Sequence, residues 1–305
     1  MILTVTLNTA LDITHRVPRL RPHASHRVTA VAERPGGKGL NVARVLAALG
    51  HEVTATGFAG GPTGEVVRTL LAASPGVVDA LLPCAGTTRR TLAVVDEATG
   101  DTTQFNEPGP QITAVEWAAF QAHYAELVAG ARAVALCGSL PPGVPVGAYA
   151  ALVRAARAAG VPVLLGTSGE ALRRGVAARP EMIKPNAAEL AELTGSHDAL
   201  PATRDARRRG AHAVVTSLGP AGLLAATAHG TWRAAPPRAL SGNPTGAGDS
   251  AVAGLLSALT EGLDWPARLT RAVALSAATV HARTAGEFDP ASYASLTGSV
   301  TVTAV

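Results

Sequence analysis

Short apolar runs without alternation, separated by stretches of helical repeat, are the dominant pattern of this chain. Ala133 to Leu136, Val161 to Leu165 and Ala213 to Val215 show no polar face, which is how strands buried on both sides read. Between such runs, apolar positions recur every three or four residues. This spacing predicts helices over Asn41 to Leu49, Glu65 to Ala73, Val115 to Val128, Val146 to Ala159, Ala187 to Leu193, Ser250 to Glu261 and Pro266 to Thr284. Gly50, Gly160 and Gly262 stand just past three of them as stop signals. The alternation predicts an α/β fold, a predominantly parallel sheet with helices on both faces.

Two segments depart from that alternation. Residues 11–33 and 86–107 hold the strand-like pieces Asp12 to Val17, Arg27 to Ala32, Arg89 to Val95 and Thr102 to Phe105, with no helix between neighbours. Hairpins outside the main sheet are the expectation. No linker or internal repeat divides the 305 residues, so a single domain is expected over residues 1–305.

Composition narrows the function. A hydrophobic content of 47% is ample for a large core. The net charge of +4 raises nucleic acid as a partner, yet the only basic run is Arg207-Arg208-Arg209, in a chain with 3% aromatic residues. Without stacking platforms the run reads as a solvated helix face, and no nucleic-acid partner is expected. Met1 to Leu7 alternates like a strand and lacks a basic leader. The longest apolar helix, around Ala272 to Ala282, is shorter than the ~20 residues that cross a bilayer, so no membrane partner is expected either. Cys84 and Cys137 match no metal spacing, and packing cysteines in a reduced, cytoplasmic protein are the expectation.

Candidate chemistry is concentrated in turns. Asn243-Pro244-Thr245-Gly246-Ala247-Gly248-Asp249-Ser250 leads from a flexible turn into an apolar helix. The first N–H groups of a helix lack internal partners and sit at its positive end, so Gly246, Ala247 and Gly248 offer an anion site. Asp249 beside phosphates would be repelled unless it serves as base or metal partner. Phosphoryl transfer needs such a base, to take the proton of the attacking hydroxyl. An ordinary helix entry with Asp249 complementing the dipole is the alternative.

The only two lysines of the chain also fall in turns: Lys38 in Gly36-Gly37-Lys38-Gly39-Leu40-Asn41, and Lys184 in Ile183-Lys184-Pro185-Asn186-Ala187-Ala188-Glu189-Leu190. A compact ammonium suits a phosphate met as a point charge. Asn186 and Glu189, three apart at a helix start, read locally as a capping pair. A G-x-x-x-x-G-K-[ST] run is missing, which excludes a P-loop, and no early strand followed by G-x-G-x-x-G points to a dinucleotide.

With Asn8-Thr9-Ala10-Leu11-Asp12 near the start and Ser217-Leu218-Gly219-Pro220-Ala221-Gly222 later, these motifs resemble in order and spacing the PfkB (ribokinase-like) sugar kinases, over nearly the whole chain. The Gly-Gly-Lys-Gly form and Gly86-Thr87-Thr88-Arg89 are most similar to the branch of 1-phosphofructokinases and tagatose-6-phosphate kinases. The resemblance implies ATP as co-substrate, Mg²⁺ as cofactor and a ketohexose phosphate as acceptor, with fructose 1-phosphate ahead of tagatose 6-phosphate and fructose 6-phosphate. It implies that the hairpin segments form a β-lid over the sugar, often also the surface of a homodimer.

Residue by residue, the resemblance makes Asp249 the general base and Asp12 the sugar ligand, with Gly36, Gly37 and Asn41 completing the floor. Lys38, Arg89 and Arg27 would hold the phosphate already on the sugar. Ser139 either reaches the same site or caps its loop. Lys184, Asn186, Ser217 and Gly219 would meet the nucleotide, and Glu189 with Asn186 would organise hydrated Mg²⁺ through water. Arg90, next to Arg89, is expected on the opposite face. Three positions depart from the family pattern: Asn8-Thr9 replaces Asn-Pro, His26 stands where asparagine is frequent, and Gly166 stands where relatives end a strand with aspartate. A non-catalytic sugar-phosphate or nucleotide sensor is the alternative of another class.

Overall fold

The computed structural model describes residues 1–238, 242–282 and 284–305. Its strands are β1 Ile2–Thr6, β2 Ala10–Val17, β3 Ala30–Gly36, β4 Val53–Ala59, β5 Val77–Asp79, β6 Leu82–Pro83, β7 Arg89–Asp96 and β8 Thr102–Asn106. They continue with β9 Ala133–Cys137, β10 Val163–Gly166, β11 Met182–Ile183, β12 Ala213–Ser217, β13 Leu223–Thr227, β14 Gly230–Ala235 and β15 Thr301–Ala304. The helices are α1 Lys38–Ala48, α2 Gly61–Ala72, α3 Ala114–Val128, α4 Ala148–Ala158, α5 Gly169–Ala177, α6 Ala187–Thr194, α7 Ala199–Arg208, α8 Ala247–Thr260, α9 Trp265–Thr279 and α10 Pro290–Thr297.

Eleven strands form the main sheet, in the order β15-β14-β13-β12-β11-β10-β9-β1-β4-β5 with β6 also on β4. The pairings from β12 through to β5 are parallel, and β13, β14 and β15 add an antiparallel edge. Alternate residues of one strand serve opposite sides: Val134 and Leu136 join a core cluster with Trp117, Phe120 and Tyr124 of α3, while Ala133 and Ala135 join another with Leu40 and Leu46 of α1. Burial on both sides explains why these strands carry apolar residues without alternation. Helices α3 to α7 cover one face and α1, α2, α8 and α9 the other.

A second sheet stands apart from the first, in the order β3-β2-β7-β8. It is built from the two segments that break the alternation, as expected, though β2 and β7 pair in parallel across the join of two hairpins. Several boundaries differ from the sequence reading, and α2 begins at Gly61, four residues ahead of the expected Glu65. β3 begins at Ala30, so Arg27 lies in the exposed loop before it and not on a lid strand. Helices α1 and α8 begin three residues earlier than the apolar repeat suggested, at Lys38 and Ala247. Helix α9 stops at Thr279, short of Thr284, and the carbonyl of Val280 instead accepts from the N–H of Asn243; Arg283, within the expected helix, lies outside the described residues.

Candidate active site

The carboxyl ends of β1, β9, β10 and β12 open into a cleft of about 720 Å³, roofed by the second sheet. Open parallel sheets place ligands at this edge, where strand ends release the chain into loops. Thr6, Cys137, Gly166 and Ser217 line it as the last residues of their strands, and Lys184 follows directly after β11.

The roof is a row set by strand register. Arg34 of β3 pairs opposite Asp12 of β2, Asp12 lies beside Thr91 of β7, and Thr91 faces Asn106 of β8. All four line the cleft. Asp12 Oδ1 accepts from the Thr91 hydroxyl at 2.5 Å, and the Gly37 N–H also donates to this carboxylate. Burial raises the Asp12 carboxyl, while Thr91, Arg44, Arg89 and Gly37 act against that rise. Glycine at 36 has a direct cause here: a Cβ would overlap the Asp12 carboxylate. Arg89 Nε and Nη1 are held by the carbonyls of Asn8 and Glu107, both at 3.3 Å, with the guanidinium on the cleft. Arg90 points away and pairs with Glu107 at 2.8 Å, as the pleat requires.

At the floor, Gly246 caps α8 with φ 84°, a conformation that favours glycine. The Ala247 N–H is spent on Pro244 O at 3.1 Å and the Asp249 N–H on Gly246 O at 3.0 Å. Among the described residues the N–H groups of Gly246 and Gly248 have no acceptor. The anion site expected of Gly246, Ala247 and Gly248 therefore narrows to the two glycines, because the tight turn consumes the amide between them. Asp249 keeps part of its surface open to the cleft but lies deep among protein atoms, and burial raises its carboxyl above the usual range. The Asn41 hydrogen bond and the charges of Lys38 and Lys184 act against that rise. Asn41 Nδ2 donates to Asp249 Oδ2 at 2.9 Å. The amide expected to face sugar hydroxyls is thus engaged by the expected base.

The two lysines both act on Asp249 and on each other. Lys184 is buried, which lowers its ammonium pKa, with Asp249 and Glu189 acting in the other direction. Its Nζ would stand 3.5 Å from a methyl group placed on Gly248. Lys38 Nζ lies 3.8 Å from Glu189 Oε1. Asn186 and Glu189 form a reciprocal capping box: Asn186 Oδ1 accepts from the Glu189 N–H and Glu189 Oε2 from the Asn186 N–H, both at 2.8 Å. Glu189 Oε1 remains on the cleft side, facing Lys38. Among the described residues no group of three His, Cys, Asp or Glu has metal-binding geometry.

Ser139 lines the cleft and receives the Asn8 amide at 3.0 Å. Gly219 opens an exposed 3₁₀ turn after Ser217 and is not part of the cleft wall. Arg27 is exposed and also outside it. Gly166 has an ordinary φ, and a Cβ there would meet Cys137 Sγ at 3.5 Å, so a side chain fits. Cys137 is buried, which pushes its thiol up to about 12. Arg34, Thr91, Asn8 and Arg44 were not expected. Thr91 had a signal available, two residues after Arg89 and hence on the same strand face, and Asn8 opens the motif that carries Asp12.

One cleft brings together two carboxylates, two ammonium groups, arginines and two backbone amides without acceptors among the described residues, a set that suits a sugar beside a phosphate chain. Residues 4–291 match the pfkB family of carbohydrate kinases, and the chain belongs to that family. A 1-phosphofructokinase of Rhodobacter capsulatus is 41% identical over 284 residues, 90% of each chain. A 1-phosphofructokinase of Xanthomonas campestris pv. campestris is 40% identical over 268 residues, 85% of this chain and 84% of that one. The crystal structure of phosphofructokinase-2 from Escherichia coli in complex with fructose-6-phosphate is similar with a TM-score of 0.89 at 33% identity, covering 97% of this chain and 98% of that one.

Proposed function

We propose that this protein transfers the γ-phosphoryl group of ATP to the free primary hydroxyl of fructose 1-phosphate. The carrying observation is one cleft that holds Asp249 together with the row of Asp12, Thr91 and Arg34 and with Lys38 and Lys184. Asp12 accepts hydrogen bonds from sugar hydroxyls, and Arg89, pre-positioned by two carbonyls, holds the resident phosphate. Asp249 takes the hydroxyl proton, and the Gly246 and Gly248 amides receive the negative charge that develops on the phosphoryl oxygens. Lys38 faces Glu189, a position that suits the phosphoryl in transit better than the phosphate already on the sugar. Lys184 and Ser217 flank the nucleotide phosphates.

Mg²⁺ fits this donor set. The capping box leaves Glu189 one free oxygen, and Mg²⁺ keeps several waters and binds chiefly through substrate phosphates with one or two carboxylates. When bound, it neutralises charge on the transferring group. Glu189 would help hold it through water at Oε1, and Asn186 keeps Glu189 in place. The second sheet closes over the sugar and excludes water, and its outer face pairs with a second copy of the chain.

Fructose 1-phosphate leads because identity to two 1-phosphofructokinases, 41% and 40%, exceeds the 33% to phosphofructokinase-2. Steady-state rates with ATP and a panel of fructose 1-phosphate, tagatose 6-phosphate and fructose 6-phosphate test the assignment. The highest kcat/KM is expected for fructose 1-phosphate. Preference for fructose 6-phosphate would reverse the choice of acceptor, and no turnover with any of the three would leave a sensor.

A further inference from the structure

Asn41 can present either end of its amide to Asp249, and a half-buried arginine decides which. Arg44, three residues along α1, brings Nη2 to 3.4 Å from Asn41 Oδ1 and against the carbonyl of Ala285. With its oxygen held by a cation, Asn41 turns Nδ2 toward Asp249 Oδ2. The reversed amide would set an oxygen against a carboxylate and an NH₂ group against a guanidinium. We propose that Arg44 is a positioning residue for phosphoryl transfer: it fixes the Asn41 amide so that Asp249 Oδ2 is occupied and Oδ1 is left for the sugar hydroxyl. The inference rests on the reading of Asp249 as general base.

The same guanidinium ties the catalytic turn to the roof. Gly286, at φ 76°, has no room for a Cβ because the Arg44 guanidinium fills that space. On its other side the Ala285 and Gly286 segment packs against Gly246, where a Cβ would press on Ala285 Cα at 2.9 Å. The next residue, Glu287, pairs at 3.3 Å with Arg34 of the roof. Contacts thus run unbroken from β3 through Glu287 and Arg44 to Asn41 and Asp249. Arg44 Nε is buried with no partner among the described residues, an expense that ordinary packing avoids. The charged and titratable groups around Asp249 are Lys38, Lys184, Arg44, Asp12 and Cys137. Arg44 is the cation among them that also touches the asparagine.

Arg44→Met, Asn41→Ala and the double variant test this in the full-length enzyme. Arg44→Met is expected to lower kcat roughly tenfold, a fraction of the ~10²- to 10⁴-fold that a general base contributes, while the KM for ATP changes less than about twofold. The acid limb of kcat should move to higher pH, since Asp249 loses an oriented donor and a nearby cation; a purely structural defect reduces active enzyme and leaves the limb in place. On the Asn41→Ala background, Arg44→Met should reduce kcat by less than about twofold more, because both act through one amide. Fully multiplicative losses, or an unmoved acid limb in a folded Arg44→Met protein, would overturn the proposal. If methionine prevents folding, Arg44→Lys decides: it keeps the charge but not the fork, and wild-type kcat in that variant would overturn the proposal, whereas a severalfold loss upholds it. An active Asp249→Asn would instead remove the functional reading, independently of Arg44.

Discussion

In the proposed reaction Asp249 takes the proton and Arg89 holds the phosphate already on the sugar, and substitutions separate the two roles. Asp249→Asn keeps the shape and the contact with Asn41 but removes the proton acceptor. Its kcat should fall by ~10²- to 10⁴-fold, with both substrates still binding in calorimetry. A rate above about a third of wild type would contradict the role of base. In the wild-type enzyme the base must be ionised, and burial raises its pKa, so activity should fall with acid at a pH above the ordinary aspartate range. Arg89→Ala removes one charge-assisted anchor, on the order of 2 kcal/mol, and should raise the KM for the sugar phosphate about thirtyfold with little change for ATP. Equal weakening of both would place Arg89 elsewhere. Asp12, Asp249, Lys38 and Lys184 were legible because their neighbours in sequence are unusual. Arg34 and Arg44 were not: their places depend on strand register and on a loop 241 residues away from Arg44, which no local pattern encodes.

Helix α6 shows how one element serves two purposes. Its capping box satisfies orphan amides, and each side chain keeps an edge on the cleft. Glu189→Gln separates the two, because glutamine can also accept from the Asn186 N–H. The melting temperature should stay within about 2 °C, while the free Mg²⁺ needed for half-maximal rate rises severalfold as the carboxylate charge is lost. A fall in stability with unchanged metal dependence would reduce Glu189 to a cap. Long periodic helices such as α3 and α4 were read to within two residues at each end. The amphipathic α5 and α7 and the short α10, which has no apolar face, were not, since they carry several polar positions, and the antiparallel β13 to β15 edge was missed because a parallel pattern dominated its neighbours.

The whole molecule places one sheet over the edge of another, and this leaves an exposed apolar face. Strand alternation puts Val31, Val94 and Phe105 on the side of the roof opposite Asp12 and Thr91, and Val31 and Phe105 are each 59% exposed. Large apolar side chains grouped on a sheet face favour a partner surface of the same kind, which the proposed two-fold pairing of two roofs would supply. The sequence indicated the roof through its broken alternation, whereas its outer face becomes visible only with the register. Phe105→Glu introduces a charge that the paired state would have to bury, opposing association by several kcal/mol, and it lies away from every group assigned to chemistry. Sedimentation at micromolar concentration should show a dimer for the wild type and a monomer for the variant. With the roof no longer held by its partner, the KM for the sugar phosphate should rise more than the KM for ATP. A wild type that sediments as a monomer, or a variant that stays dimeric with unchanged KM, would place the roof's outer face outside any interface.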